Sequence, residues 1–337
     1  MHSGIEKELD YAAFWQLVEA SKVIGLTAPA FGDGDSVGTQ CALKGLIEER
    51  FPSIKVRIIN ETDCPKRYRF LKWAENFELS KNVLESGQDI PDLMICVDGS
   101  FERIGDLTQE LWAKAAKTIQ VDHHVISGEN VYTQRLYNPE AASTTEIIVD
   151  MLLEEKKLPV SAPIAQALYL GFVFDTGQFK HSNANPGVLR KAAALMESGF
   201  DHTYTVEEGL MIRNEQAFSL LKVVLANSSF DIDGRYVWSV IDYDSFVNSG
   251  ADTDDREGLI DQLFLTDKCE IATLFFEPEP GQWKLSFRAR KEWDVAQLAR
   301  SLNPHGGGHK KAAGCSLEGA QESITEQCHK AVRSLLI

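Results

Sequence analysis

Apolar and polar positions alternate along the first half of the chain in the rhythm of strand, helix, strand. Residues 6–20 repeat at helical spacing and predict an amphipathic helix. The short apolar run Lys22–Thr27 reads as a first strand, followed by a Gly/Asp turn and a helix over 36–50. Ile54–Ile59 alternates like a strand. Leu93–Val97, apolar throughout, and Thr118–Val121 read as two more strands of the buried type, and each is followed at once by an Asp. Helices are predicted over 143–156 and 161–174. This order argues for an α/β domain, a parallel sheet with helices on both faces.

The pattern then changes. Residues 186–226 read as helix without a strand. Tyr236–Ile241, Glu270–Phe276 and Trp283–Arg288 read as strands, and 294–301 and 318–336 as helices. In the last of these, Ile324, Cys328, Val332 and Leu336 fall on one face. The expected organisation is a first domain over 1–190, a helical linker over 191–225 and a smaller α/β domain over 226–337. A length of 337 residues fits two domains at ~150 residues each.

Charge narrows the function. Asp and Glu number 50 against 34 Lys and Arg, a net charge of −16, so no general basic surface is available to track long duplex nucleic acid. A short phosphate ester held in a local pocket remains compatible. The six cysteines form no CxxC pair, which argues against zinc or redox motifs. The first residues, MHSGIEKELDYAAFW, do not have the form of a signal peptide, and no run of ~18 apolar residues exists to span a membrane. A cytoplasmic protein with reduced thiols is expected.

Four clusters carry candidate chemistry: Asp33-Gly34-Asp35 after the first strand, Asp98 after MICV, Asp122-His123-His124 after TIQV, and Asp175 in GFVFDTGQF. Ligands of an open parallel sheet bind outside the carboxyl ends of its strands, and three of the four clusters fall there. Each alone has a plain explanation as a helix cap or turn residue. Together they offer carboxylates and imidazoles with no thiolate, a set suited to manganese, magnesium or a similar divalent ion.

VDHHV resembles the defining motif of the DHH phosphoesterases. GDGDSVGTQ, VDGS and FDTGQFKHSN resemble that family's first, second and fourth motifs, in the family's order. LSFRARKEWDVAQLARSLNPHGGGHKKAAG resembles the C-terminal domain that accompanies DHH domains in oligoribonuclease-like and RecJ-like enzymes. Within that family the chain resembles the nanoRNase/pAp-phosphatase group. The resemblance implies an active site in the cleft between the two domains and a centre of two manganese ions ~3.5–4 Å apart. Asp33 and Asp35 would each ligate one metal, Asp98 would bridge them, and His123 and Asp175 would complete the second. His124 would face the scissile phosphate, and Asp122 would orient the histidines. It also implies a homodimer. One position departs from the family: Pro29 stands where the first motif usually has a metal-ligating His.

Near the end, Gly306, Gly307, Gly308, His309 and Lys310 are expected to bind substrate, with glycine backbone N–H groups cradling a phosphate and a following helix start adding its dipole. Arg288 and, more weakly, Arg290 are candidates for phosphate contacts. His305 is weaker still. Ser143, Thr144 and Glu146 are explained by helix capping and given no chemistry. The expected activity is hydrolysis of short oligonucleotides, with pAp as a further substrate. Cyclic-dinucleotide hydrolysis, a nucleotide-binding protein weakened by Pro29, and a manganese pyrophosphatase are the alternatives. The last fits the C-terminal motif poorly.

Overall fold

The computed structural model describes residues 7–124 and 131–337, apart from the side chain of His309. The chain divides into two compact units, 1–212 and 213–337.

The first unit is built on a seven-stranded sheet of order β1-β7-β6-β5-β2-β3-β4. The strands are β1 (Glu8–Leu9), β2 (Val23–Thr27), β3 (Lys55–Asn60), β4 (Phe77–Leu79), β5 (Leu93–Val97), β6 (Lys117–Asp122) and β7 (Gln134–Tyr137). All neighbours are parallel except β1 and β7. From β2 the chain winds one way through β3 and β4, then returns beside β2 as β5 and winds the other way through β6 and β7. The switch point between β2 and β5 leaves a crevice at the strands' carboxyl ends.

The helices are α1 (Tyr11–Glu19), α2 (Gly34–Arg50), α3 (Ser80–Ser86), α4 (Asp106–Trp112), α5 (Thr144–Glu154), α6 (Ala162–Asp175), α7 (Pro186–Met196) and α8 (His202–Val206). Side chains alternate across the sheet, which is why the helices can cover both faces. Leu93, Ile95 and Val97 face the main core with α1, α2, α5 and α6. Met94 and Cys96 face the other side, against Ile104 and Trp112. Both sides of β5 are therefore apolar, and the expected helices on both faces are found.

α2 and α6 are not amphipathic because neither has a water-facing side through most of its length. α2 is buried from Gly34 to Ile47. The two cross closely at glycines. A Cβ on Gly38 would overlap the carbonyl oxygen of Ala167, and one on Gly171 would overlap the Asp35 carboxylate and the Thr145 hydroxyl.

The second unit is a six-stranded sheet, β12-β13-β11-β10-β9-β8. Its strands are β8 (Ser229–Asp231), β9 (Tyr236–Ile241), β10 (Ile271–Glu279), β11 (Gln282–Ala289), β12 (Gly307–His309) and β13 (Ala312–Glu318). Only β9 and β10 run parallel. Helices α12 (Val295–Leu302) and α13 (Gln321–Leu336) cover one face. There Ile324, Cys328, Val332 and Leu336 are buried, as their spacing predicts. Helices α9 (Glu215–Ala226) and α11 (Leu259–Leu263) cover the other with Val237, Ile241, Ala272 and Leu274, and α10 (Tyr243–Ser249) adds Phe246 at the margin.

The glycine-rich stretch departs from expectation. No helix starts after it; Gly307–His309 is an edge strand that turns at Lys310-Lys311 into β13. Ala313, Cys315 and Leu317 alternate toward the core, a period of two that favours a strand over a helix.

Replacing Gly38 with Ala is expected to destabilise the protein by about 1–3 kcal/mol, because the added carbon meets backbone rather than a movable side chain. The measurement is the urea midpoint at constant slope. An unchanged midpoint would mean that α2 and α6 separate there without cost.

Candidate active site

Three adjacent strands bring the acidic clusters to one end of the sheet. Asp98 follows β5 directly and Asp122 ends β6, while the loop after β2 carries Asp33 and Asp35 into the start of α2. Asp175 is the last residue of α6, not a residue beyond it. Ligating atoms of Asp98, His123 and His124 lie within 4.8 Å of one another, as do those of Asp35, His123 and Asp175. Asp33 belongs to neither group, but its charge acts on Asp98.

Each side chain is held by identifiable contacts. Asp33 caps α2: its Oδ1 accepts from Asp35 N (3.0 Å), Ser36 N (3.1 Å) and Ser36 Oγ (3.2 Å). Among the described residues its Oδ2 accepts no hydrogen bond. Asp35 lies at the N-terminus of α5 and accepts from Thr144 N at 2.6 Å and Thr145 N at 3.0 Å, where the helix dipole favours an anion. Asp98 holds a left-handed backbone at φ 58° and accepts from Thr144 Oγ1 at 2.9 Å.

His123 pairs its Nδ1 with the carbonyl of Ala141 at 3.1 Å, and its Nε2 lies 3.0 Å from Asp175 Oδ2 and 3.7 Å from Asp98 Oδ1. The carbonyl can only accept, so Nδ1 carries a proton, and Nε2, which faces Asp175 and Asp98, would bind a cation on releasing its own. His124 is held by Asp122, whose Oδ1 accepts from His124 N at 3.1 Å and from Nδ1 at 2.8 Å. Gln120 Nε2 donates to Asp122 Oδ2 at 3.2 Å and Arg135 Nε to Gln120 Oε1 at 2.9 Å, so a polar chain runs from the sheet edge to the histidine.

Capping accounts for Ser143, whose Oγ accepts from Glu146 N. It does not account for Thr144, which touches two of the acidic residues at once and which the sequence reading passed over. Its place at a helix start beside a motif was the available signal. Asn183 was also passed over; its Nδ2 donates to the carbonyls of Ala142 and Asp175 and ties the end of α6 to the approach to α5.

Burial and mutual repulsion set the electrostatics. Asp98 has its pKa raised well above the carboxylate range by desolvation, then by Asp33, Asp35, Asp175 and Asp122. Asp175 is pushed up to about 7, by burial and then Asp35. Burial opposes a charged His123, but the hydrogen bond and charge of Asp175, with Asp35 and Asp122, carry it up to about 10. Among the described residues no Lys or Arg forms an ion pair with any of these five carboxylates; only the two histidines do. A divalent cation fits such a donor set, because it supplies positive charge that no ion-paired Lys or Arg among the described residues supplies.

In the second unit Arg288 Nε donates to Asp261 Oδ1 at 2.8 Å and keeps about a quarter of its side chain exposed. Arg290 is committed to structure: its guanidinium donates to the carbonyls of Thr266, Cys269 and Phe264. Lys310 is exposed at the hairpin turn. Gly306, Gly307 and Gly308 lead into that turn, Gly308 at φ 130°, and the His309 side chain lies outside the described residues.

Residues 26–172 match the DHH family N-terminal domain, and residues 234–336 match the DHHA1 domain. The chain carries a DHH domain followed by a DHHA1 domain. It is thus a phosphoesterase by family, with the acidic and histidine cluster inside or just beyond the matched first domain. The bifunctional oligoribonuclease and PAP phosphatase NrnA of Thermus thermophilus is 28% identical over 312 residues, covering 90% of this chain and 87% of that protein. The Bacillus subtilis protein of the same name is 25% identical over 85% of this chain and 86% of its own length. In fold, the chain is similar to an exopolyphosphatase-related protein from Bacteroides fragilis, with a TM-score of 0.87 at 20% identity, covering 96% and 95% of the two chains.

Stripped of cations, the protein should lose stability as pH rises. Asp98, Asp175 and His123 all have folded pKa values above their unfolded ones, so the native state holds more protons. For Asp175 the loss runs from ~3.9 to about 7, and for His123 from ~6.5 to about 10. The melting temperature in chelator should therefore fall between pH 5 and 9, and a saturating divalent cation should flatten that fall. A flat or rising profile in chelator would contradict this account of the cluster.

Proposed function

We propose that this DHH-family enzyme hydrolyses phosphodiesters in short oligonucleotides of about two to five nucleotides, and also acts on pAp, with two manganese ions as its cofactor. One observation carries the reading: five acidic side chains converge with two histidines at the switch point of a parallel sheet, with no Lys or Arg ion-paired to them among the described residues. The NrnA names of the Thermus and Bacillus relatives support the substrate class. So does the net charge of −16, which disfavours long polyanions.

In this reading Asp33, Asp35, Asp98, His123 and Asp175 hold the metals, with Asp98 shared. When bound, the cations would neutralise the phosphate oxygens, lower the pKa of a water and stabilise the leaving oxygen. The chain's own contribution is orientation. Thr144 fixes Asp98, and the first N–H groups of α5 fix Asp35. Asp122 accepts the Nδ1 proton of His124, which leaves His124 Nε2 to meet the scissile phosphate. For the rest of the substrate we assign Arg288, Gly306, Gly307, Gly308, His309 and Lys310 in the second unit. Pro29 is buried and offers no side-chain ligand, so one metal would lack the ligand that the family's first-motif histidine supplies.

The test is manganese-dependent turnover of a diribonucleotide, pAp and a cyclic dinucleotide in parallel. Wild-type protein should cleave the diribonucleotide fastest. Asp98→Ala should abolish turnover, and Asp122→Ala should lower kcat by about 10- to 100-fold through misplacement of His124. Preference for the cyclic substrate would change the substrate class. Failure of folded protein on all three would replace catalysis with nucleotide binding.

A further inference from the structure

Helix capping explains Ser143 but not Glu146. A capping box would turn the Glu146 carboxylate back to the N–H of Ser143, the residue that caps α5. Instead Glu146 Oε2 accepts from Ala142 N at 2.6 Å, one residue further back, while Ser143 Oγ accepts from Glu146 N at 3.1 Å. The carboxylate is buried, with 8% of its side chain exposed. Lys191 of α7 meets its other oxygen at 2.6 Å and Asp150 Oδ1 at 2.5 Å. A buried charge pair is a poor source of stability, because desolvation offsets most of its attraction.

The pair holds the stretch 141–145, and that stretch touches three residues of the acidic and histidine cluster. The Ala141 carbonyl lies 3.1 Å from His123 Nδ1. Thr144 Oγ1 donates to Asp98 at 2.9 Å, and the N–H groups of Thr144 and Thr145 donate to Asp35. Asn183 Nδ2 adds a link to the carbonyls of Ala142 and Asp175. Ala142 is thus fixed at its N–H by Glu146 and at its carbonyl by Asn183. It sits between the carbonyl that orients His123 and the amides that hold Asp35. Movement of this stretch would displace all of these contacts together.

We propose that Lys191 is a positioning residue for the metal site, acting through Glu146 to hold residues 141–145 against His123, Asp35 and Asp98. This rests on the metal-dependent hydrolase reading above. Lys191 itself need touch neither metal nor substrate. Without its ammonium, Glu146 would be a buried carboxylate close to five others, and turning away from Ala142 toward water would relieve it. The Ala142 N–H would then lose its acceptor, and the stretch would lose one of its two anchors.

The experiment titrates manganese into the chelator-treated protein by calorimetry, with Tm and diribonucleotide turnover measured on the same samples. It compares wild type with Lys191→Met, Lys191→Gln, the double variant Lys191→Met/Glu146→Gln, and Asp150→Asn. Lys191→Met should weaken manganese binding about 10- to 100-fold and lower kcat by a similar factor with KM unchanged. Lys191→Gln, which keeps a neutral donor toward Glu146, should fall between. The double variant replaces the unpaired carboxylate with a neutral side chain of the same shape that can still accept from Ala142 N, so it should recover most of the lost affinity. Asp150 shares the same ammonium but has no hydrogen bond to residues 141–145 among the described residues. Asp150→Asn should therefore leave manganese affinity unchanged even where it lowers Tm. If Lys191→Met does not fold, the loss is read from Lys191→Gln. Wild-type manganese affinity in folded Lys191 variants, or an equal loss in Asp150→Asn, overturns the positioning role and leaves the metal site standing. If wild type binds manganese but turns over nothing, the affinities still decide positioning while hydrolysis falls. No manganese binding by wild type would overturn both.

Discussion

Five carboxylates share one crevice with no Lys or Arg ion-paired to them among the described residues, and the geometry of the first unit follows from how that repulsion is managed. Like charges at such separations in a partly desolvated site oppose one another by several kcal/mol, even at an effective dielectric of ~20. The protein meets the problem with partial charges: the opening turn of α5 faces Asp35, a threonine hydroxyl faces Asp98, and a backbone carbonyl turns His123 toward Asp98 and Asp175. These devices fix where the oxygens lie and leave the net charge to be met from outside. Such a donor set suits a divalent cation.

The strand order makes this arrangement possible. At the switch point the loops after β2 and β5 diverge, and the crevice between them is where Asp33, Asp35 and Asp98 are carried. Asp175 reaches the same place from the end of α6. Its reach depends on the close crossing of α2 and α6.

Much of this was legible in the chain. Leu93–Val97 and Tyr236–Ile241 are the strands that their apolar runs indicate, and the acidic residues after β5 and within β6 lie where a parallel sheet would place ligands. Several features were not legible, each for a physical reason. β7 and β4 are short strands whose pairing depends on neighbours rather than on their own pattern. Arg290 alternates correctly for a phosphate contact, yet carbonyls brought near by the fold claim its donors. Thr144 serves as both helix start and Asp98 support, and sequence exposes only the first role.

The glycines at the crossing of α2 and α6 have a bearing on ion choice. Asp35 rides on α2 and Asp175 ends α6, and Gly171 lets the Asp35 carboxylate lie against α6 itself. The span between these two oxygen donors therefore depends on the helix-to-helix distance as well as on the two side-chain rotamers. Magnesium binds oxygen at ~2.1 Å and calcium at ~2.3–2.6 Å, and calcium sites rely on flexible ligands. Closer or wider packing at these glycines would shift that span, which ties the choice between such ions to helix packing.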